Sequence, residues 1–201
     1  MKPEEIARTY DALAAHWNGP DFWRENGMRQ HRQALQFVGD KGRALDVGCG
    51  SSGRIIDWLI DSGFEVEGID VSAEMVRLAE MRHPEVRFHH ADICEWEPSA
   101  TYNFISAWDC IWHVPLERQE PVVRKLCGAL AKGGVLILTC GGLDGPEERR
   151  EIMKGQPIYH ATPGIPRLLE IIADSGCICR HLEYDQWPEQ HVFLVAQRTV
   201  P

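Results

Sequence analysis

Apolar residues recur along the chain at spacings that change repeatedly between helical and extended. In the first segment these residues are Ile6, Tyr10, Leu13 and Trp17. Their intervals of four, three and four residues place them on one face of an α-helix. A second helical stretch is predicted over 22–38. The first 40 residues or so are therefore predicted to be helical.

From about residue 40 onwards, short apolar runs typical of β-strands alternate with stretches of helical spacing. The runs that predict strands are 43–47, 65–70, 86–91, 102–108 and 135–140. Ser72 is a good helix N-cap after the second of these runs. Regular alternation of strand and helix predicts a three-layer α/β fold with a doubly wound, mostly parallel sheet.

The last third of the chain has a different pattern. A loop rich in glycine, proline and charge is predicted after residue 140, and a helix over about 165–174. Two apolar runs follow at 178–184 and 191–197, and their separation suits an antiparallel hairpin. No internal repeat interrupts this order.

Composition narrows the class of protein. A chain of 201 residues fits one domain, which we predict over 1–201, with 1–40 as a helical cover and 41–201 as the α/β core. Its net charge of −9 provides no basic surface for a nucleic acid, so none is expected as a partner. The acidic N-terminus does not read as a signal peptide, and no apolar run approaches the roughly 20 residues that span a bilayer. No membrane association is expected.

The seven cysteines are odd in number and irregularly spaced, and none forms a Cys-x-x-Cys motif. They are expected to be free thiols in a reducing cytoplasm. His89 and His90 are adjacent and point to opposite faces of a strand, and no other His or Cys group has ligand spacing. No metal is therefore predicted.

A glycine-rich turn, DVGCGSSG, follows the first predicted strand. The spacing of Gly48, Gly50 and Gly53 matches a dinucleotide-binding fingerprint, in which glycine permits a sharp turn and close approach of a ligand. Asp70 ends the second predicted strand, where its carboxylate can accept hydrogen bonds from ribose hydroxyls. The turn and Asp70 together predict a binding site for a ligand that contains ribose.

Three features favour S-adenosylmethionine over a nicotinamide dinucleotide as that ligand. Asp46 precedes Gly48 by two residues, where a carboxylate suits a ligand ammonium group and disfavours a diphosphate. Asp92 follows the third predicted strand and is placed to reach an adenine amino group. About 40 residues also precede the first strand. Because the glycine spacing and Asp70 suit both ligands, an NAD(P)-dependent oxidoreductase stays an alternative, as does a non-catalytic module that binds S-adenosylmethionine.

The ordered set of these segments resembles the class I (Rossmann-like) S-adenosylmethionine-dependent methyltransferases. The matching segments are ALDVGCGSSG, EVEGIDVSAEMVRLA, VRFHHADI, YNFISAWDCIWHV, LAKGGVLILTC and HVFLVAQR. The resemblance implies a seven-stranded sheet in the order 3-2-1-4-5-7-6, with the seventh strand antiparallel. It departs from the family at Ser52, where many members have a third glycine.

The resemblance also implies which residues hold S-adenosylmethionine. Gly48 and Gly50 would approach its methionine and ribose portions, Asp46 its amino group, and Asp70 its ribose hydroxyls. The adenine would lie against three further residues, Val71, Asp92 and Ile93. Trp108 is a further candidate to line the cofactor or acceptor pocket.

The acceptor is expected beyond the fourth predicted strand. Asp109 and His113 are four residues apart and would face each other on a helical turn, which suggests an oriented catalytic base. Trp112 is a candidate wall of an apolar or cationic acceptor pocket together with Trp108. Ordinary packing is the alternative role for these aromatic residues. The other candidate acceptor contacts are Tyr10, Trp17, Tyr159 and His160.

The predicted function is methyl transfer to a small-molecule acceptor. The compact size of 201 residues favours such an acceptor, since an extra domain that recognises a macromolecule is not expected. The Asn/Asp-Pro-Pro-Tyr motif of many enzymes that methylate nucleobases or glutamine is absent, which makes those acceptors less expected. The residues name no particular acceptor and no oligomeric state.

Overall fold

Seven strands form one central sheet, and two more form a separate hairpin. The computed structural model describes residues 1–19 and 22–199. The strands are β1 (Arg43–Val47), β2 (Glu65–Asp70), β3 (Arg87–His90), β4 (Tyr102–Ala107), β5 (Leu130–Gly141), β6 (Glu147–Met153), β7 (Gln156–Thr162), β8 (Cys177–Tyr184) and β9 (His191–Arg198). The main sheet has the order β3-β2-β1-β4-β5-β9-β8, with β9 antiparallel to β5 and β8. Since β8 and β9 are its sixth and seventh strands, the order expected from the resemblance is confirmed.

Helices cover both faces of this sheet. They are α1 (Pro3–Trp17), α2 (Met28–Leu35), α3 (Arg54–Asp61), α4 (Ala73–Arg82), α5 (Leu116–Ala129) and α6 (Ile165–Asp174). One half of the core packs the sheet against α5 and α6, and the other packs it against α2 and α3. Residues Val135 to Leu138 of β5 are fully buried, because helices lie on both sides of this central strand. The predicted three-layer α/β fold is confirmed.

The structure corrects the predicted loop after β5. Residues 147–162 form the hairpin β6–β7, and its two-residue turn places both Lys154 (φ 51°) and Gly155 (φ 81°) in the left-handed region. Two positive φ angles are what a type I′ hairpin turn requires. The side chains of β6 are exposed on both faces, so its sequence shows no alternation of apolar and polar residues. That absence made the strand look like a loop.

The second predicted helix is also shorter than 22–38. It begins at Met28, because Gly27 before it has a left-handed backbone (φ 81°) that interrupts helical hydrogen bonding. The prediction at Ser72 is confirmed: its Oγ accepts a hydrogen bond from the Met75 amide at 3.1 Å and caps α4.

The two N-terminal helices occupy different places. α1 joins α4 to the hairpin. On the α4 side, Asp11 accepts hydrogen bonds from the Ser72 hydroxyl (2.6 Å) and the Glu74 amide (3.1 Å). On the hairpin side, the Thr9 hydroxyl donates to the Pro157 carbonyl (2.7 Å). α2 instead packs on the sheet, through residues such as His31. Among the described residues, no helix has the length and apolar character needed to cross a membrane.

Candidate active site

A cavity of about 180 Å³ lies at the carboxyl ends of the parallel strands, and we call it the strand-end cavity. Its wall comes from the turn after β1 (residues 47–52), the end of β2 (69–71), and the segments after β3 (91–94) and β4 (108–111), with α1 across them. β1 lies between β2 and β4, where the strand order reverses. Doubly wound sheets bind their ligands at this point, outside the carboxyl ends of the strands.

The glycine turn opens towards this cavity at one position. Gly50 has a left-handed backbone (φ 57°), and a Cβ placed on it would meet no atom within 4 Å. Gly48 is also left-handed, but a Cβ there would lie 2.4 Å from the Cys110 Cβ. Gly48 therefore permits internal packing, whereas Gly50 leaves space for a ligand to approach the backbone.

Carboxylates stand at successive strand ends around the cavity. Asp70 accepts hydrogen bonds from the Gly50 and Ser72 amides, both at 2.9 Å. Burial raises the pKa of Asp70, although these amide hydrogen bonds oppose the rise. Asp92 accepts a hydrogen bond from the Cys94 amide at 2.9 Å. The predicted cofactor residues Val71 and Ile93 line the same wall, as do Gly48, Gly50, Asp70, Asp92 and Trp108.

Asp46 lies next to the cavity rather than in its lining. It is 1% exposed, and its Oδ2 has no hydrogen-bond partner among the described residues. Burial raises the pKa of Asp46 to about 7, while a hydrogen bond with Ser106 and the charge of Arg54 partly oppose the rise. A buried carboxylate oxygen without a partner is rare in folded proteins and is typical of a site that awaits a polar ligand group.

Three side chains that line the cavity also have buried polar atoms for which the described part of the chain provides no hydrogen-bond partner. These atoms are Trp17 Nε1, Trp108 Nε1 and Ser51 Oγ. Together with Asp46, Asp70 and the open face of Gly50, they fit S-adenosylmethionine, which carries an ammonium group, a carboxylate, two ribose hydroxyls and an adenine.

His113 holds α1 over the cavity through a defined set of hydrogen bonds. Its Nδ1–H donates to the Tyr159 carbonyl at 2.7 Å, so Nε2 carries the lone pair. Nε2 accepts from the Tyr10 hydroxyl at 2.7 Å and from Trp112 Nε1–H at 3.1 Å. Burial lowers the pKa of His113 to about 4. The imidazole is neutral at pH 7, and both nitrogens are already occupied.

The predicted pairing of Asp109 with His113 is wrong. Only Ile111–His113 form a helical turn, of the 3-10 type, and Asp109 lies before it with a left-handed backbone (φ 54°). The Asp109 carboxylate instead accepts hydrogen bonds from His191 Nε2–H (3.1 Å) and the Asn26 amide (3.0 Å). The hydrogen bonds found for the Asp109 carboxylate are therefore to His191 and Asn26, and none of those found in the described part of the chain joins it to His113.

His191 is a functional candidate that sequence reasoning missed. Its Nδ1–H donates to Asp185 at 2.5 Å, and the Asp185 side chain is fully buried. Burial alone would lower the pKa of His191, but its hydrogen bonds and charge attraction with Asp109 and Asp185 outweigh burial and raise the pKa to about 9. The imidazole is therefore a cation at pH 7. Asp109 and His191 are 82 positions apart in the chain, so no local motif could connect them.

A second cavity, of about 490 Å³, lies beside the first, and we call it the hairpin cavity. Its lining comes from the end of β5, the hairpin and the start of β9, and includes Trp112, Glu147, Arg149, His160, Glu189 and His191. Trp112 therefore faces this cavity, whereas Trp108 faces the strand-end cavity. Asp109 of one cavity and His191 of the other meet in the dividing wall.

The remaining predicted acceptor contacts are divided between the two cavities. Tyr10 and Trp17 line the strand-end cavity, and His160 lines the hairpin cavity. Tyr159, predicted to lie in a loop that closes the pocket, is in β7 and lines neither cavity. Its hydroxyl donates to Glu148 (2.7 Å) and accepts from the Leu116 amide (3.1 Å), so it supports the hairpin from within.

Comparison with known proteins agrees with this geometry. Residues 44–134 match a family model described as a methyltransferase domain. The trans-aconitate 2-methyltransferase of Rhodopseudomonas palustris (strain BisB18) is 29% identical over 194 residues, an alignment that covers 89% of this chain and 75% of the relative. The dTDP-3-amino-3,6-dideoxy-alpha-D-glucopyranose N,N-dimethyltransferase of Streptomyces fradiae is 31% identical over 67% of this chain, which spans about half of that relative (52%).

A solved structure shows the same fold. The DhpI–SAM–HEP complex superposes with a TM-score of 0.74 at 19% identity, covering 97% of this chain and 96% of that one. The family match favours a methyltransferase over the alternative of an NAD(P)-dependent oxidoreductase. Residues 44–134 thus match a methyltransferase domain, and the sheet order and strand-end cavity of this chain are those expected from its resemblance to the class I S-adenosylmethionine-dependent methyltransferases.

Proposed function

We propose that the strand-end cavity binds S-adenosylmethionine and that the protein transfers its methyl group to a small-molecule acceptor held in the hairpin cavity. The observation that carries this proposal is the grouping of Asp46, Asp70 and Asp92 around a glycine turn whose Gly50 faces open space. When bound, the cofactor supplies an electrophilic methyl group on a sulfonium.

Each cofactor residue has a chemical reason for its role. The unpartnered Oδ2 of Asp46 would take the ammonium group, whose charge offsets the cost of a buried carboxylate. Asp70, already oriented by two amides, would accept hydrogen bonds from the ribose hydroxyls. Asp92, Val71 and Ile93 would surround the adenine.

The hairpin cavity is the proposed acceptor site because it adjoins the strand-end cavity and has the size of a small-molecule pocket. Trp112 and His160 line it and are proposed to contact the acceptor. A second cavity of this kind favours an enzyme over a non-catalytic binding module. The relatives named above act on an acid and on an amino sugar, so similarity leaves the chemical class of the acceptor open.

Asp109 and His113 stay candidates for direct contact with the reacting atoms, since both line the strand-end cavity. For His113 to act as a base, its Nε2 must exchange the Tyr10 hydroxyl for the acceptor. Tyr10 and Trp17 are proposed to close the cavity from α1. All seven cysteines, which lie within the described residues, are free thiols, and this supports our assignment to the reducing cytoplasm.

Calorimetric titration of the purified protein tests the cofactor assignment. S-adenosylmethionine and S-adenosylhomocysteine are expected to bind saturably, and NADH is not. A metabolite library incubated with S-adenosylmethionine should then contain an acceptor that generates S-adenosylhomocysteine. NADH binding without any response to the two sulfur compounds would contradict the proposal.

A further inference from the structure

Three histidines surround the wall between the two cavities, and their hydrogen bonds divide them by function. His113 has both nitrogens occupied by protein groups, as described above. His191 gives both of its N–H groups to carboxylates. The Nδ1 of His160 is buried and has no hydrogen-bond partner among the described residues. Of the three, His160 has a ring nitrogen without a hydrogen bond to any described residue, although the Glu151 carboxylate lies 3.9 Å from it.

The charge of His191 is balanced within the wall itself. Asp109 and Asp185 bind its two nitrogens, so this cluster of three side chains carries a net negative charge when His191 is protonated. Its ring lies 5.7 Å from Trp108 and 5.4 Å from Trp112 between ring centroids. His191 therefore holds Asp109 in place without leaving a surplus of positive charge for an anionic ligand.

The other charged groups of the hairpin cavity also leave no surplus of positive charge. Arg149 is paired with Glu151 at 2.6 Å, so its guanidinium is already neutralised. Glu147 and Glu189 line the exposed part of the cavity. With Asp109 and Asp185, carboxylates outnumber cations around this space. The indole of Trp112 adds an aromatic face, which also attracts cations.

Asp109 lies between the two cavities, next to the position that the proposed function gives to the reacting atoms. It lines the strand-end cavity, and its carboxylate is one hydrogen bond (3.1 Å) from His191 of the hairpin cavity. Its position is set from three directions: the Thr139 hydroxyl accepts its backbone N–H at 2.8 Å, while His191 and Asn26 bind its carboxylate. A carboxylate held in this way stabilises positive charge that develops on a neighbouring atom.

We propose that the acceptor is an amine whose nitrogen faces Asp109 and whose body occupies the hairpin cavity against Trp112. This inference rests on the proposed function and specifies its substrate class. The amine, which binds as an ammonium, first releases one proton to solvent. The lone pair of the resulting neutral amine forms the bond to the methyl carbon, and the electrons of the breaking carbon–sulfur bond remain on sulfur. The nitrogen becomes positively charged beside Asp109, and its proton then passes to solvent. His191 acts as a positioning residue for Asp109.

Three probes of one shape and different charge test the substrate class. The protein, saturated with S-adenosylhomocysteine, is titrated by calorimetry with 2-naphthylmethylamine, 2-naphthamide and 2-naphthoate. The amine is expected to bind about tenfold more tightly than the other two, the scale of one charge-assisted hydrogen bond. Equal binding, tighter binding of 2-naphthoate, or no saturable binding by any probe would overturn the inference. This comparison uses the wild-type protein and does not depend on the folding of a variant.

Matched variants then assign the preference to Asp109. Asp109→Asn, saturated with S-adenosylhomocysteine, is expected to reduce the amine preference to about twofold. Glu67→Gln is the control, because Glu67 is also a mostly buried carboxylate paired with a histidine, His89 at 2.9 Å, but lies outside both cavities. It should keep the preference. Loss of the preference in both variants would contradict the role of Asp109.

The same titrations separate this inference from the function on which it rests. Failure of S-adenosylhomocysteine to bind would contradict the proposed cofactor site. Normal binding of that compound without any amine preference would leave the proposed function intact and overturn only the substrate class.

Discussion

The strand-end cavity and the hairpin cavity share a wall but are assembled in different ways. Most residues of the first follow directly from the carboxyl ends of β1 to β4, so each is positioned by the strand that precedes it. The second combines the hairpin with the start of β9. His191 at the start of β9 is held by two carboxylates that do not line this cavity, Asp109 and Asp185. One cavity depends on local turns of a regular sheet, and the other on distant side-chain contacts.

The largest effect is expected from Asp70→Ala, which damages the strand-end cavity alone. This change removes the proposed acceptor of the ribose hydroxyls and leaves the Gly50 and Ser72 amides without their partner. Affinity for S-adenosylmethionine should fall by roughly 2–3 kcal/mol, as for lost hydrogen bonds to a charged group. Calorimetric titration measures it. An unchanged dissociation constant would remove Asp70 from the site.

His191→Gln tests the side-chain contacts that form the wall of the hairpin cavity. In the folded protein the pKa of His191 is raised to about 9, above the ordinary 6.5. The stabilisation of the fold by protonated His191 is therefore fully present below about pH 6.5 and is lost as the pH rises through about 9. At pH 6 the free energy of unfolding, measured with urea, should be about 2 kcal/mol higher for wild type than for the variant. This difference should shrink by pH 9.5.

His89→Gln provides the matched control for that experiment, since His89 is also a partly buried histidine paired with one carboxylate. If the two variants differ from wild type with the same pH course, that course does not report on the carboxylates that hold His191. A difference for His191→Gln that stays constant between pH 6 and 9.5 would contradict the charged state of His191.

Asp46→Asn tests the strand-end cavity through the pH dependence of cofactor affinity. Burial raises the pKa of Asp46 to about 7, and a ligand ammonium beside it would favour the charged carboxylate. Wild-type affinity for S-adenosylmethionine should therefore rise about fivefold between pH 6 and pH 7.5. The Asn variant should bind more weakly and show a flatter pH dependence. Parallel pH profiles for the two proteins would exclude Asp46 from contact with the ammonium group.

The smallest effect is expected from Tyr10→Phe, which removes the hydrogen bond between α1 and His113. The free energy of unfolding should fall by about 1 kcal/mol, and cofactor affinity should fall a fewfold because α1 closes the strand-end cavity less firmly. Urea denaturation and calorimetry provide the two values. The preference between the naphthyl probes should persist, since Tyr10 does not line the hairpin cavity.

Sequence reasoning succeeded where each contact is close along the chain or repeats a regular pattern. The three-layer α/β fold and the Ser72 cap are of this kind, because alternating periodicity and a single side-chain hydrogen bond determine them, whereas the strand order of the main sheet was expected from the family resemblance. It failed for β6, whose exposed charged residues carry no periodicity. It also failed for the pairing of Asp109 and His113, because a helical turn was assumed where the backbone adopts a left-handed angle.

The sequence by itself determined the doubly wound sheet and the glycine turn with its strand-end carboxylates, the features that carry the resemblance to methyltransferases. These follow from patterns of neighbouring residues, since a strand, its turn and the next helix are built from consecutive positions. Only the tertiary structure decided that Asp109 meets His191 rather than His113, that Trp108 and Trp112 face different cavities, and that a second cavity exists. The physical reason is that these contacts join segments far apart in the chain, and packing of the whole sheet against the hairpin brings them together.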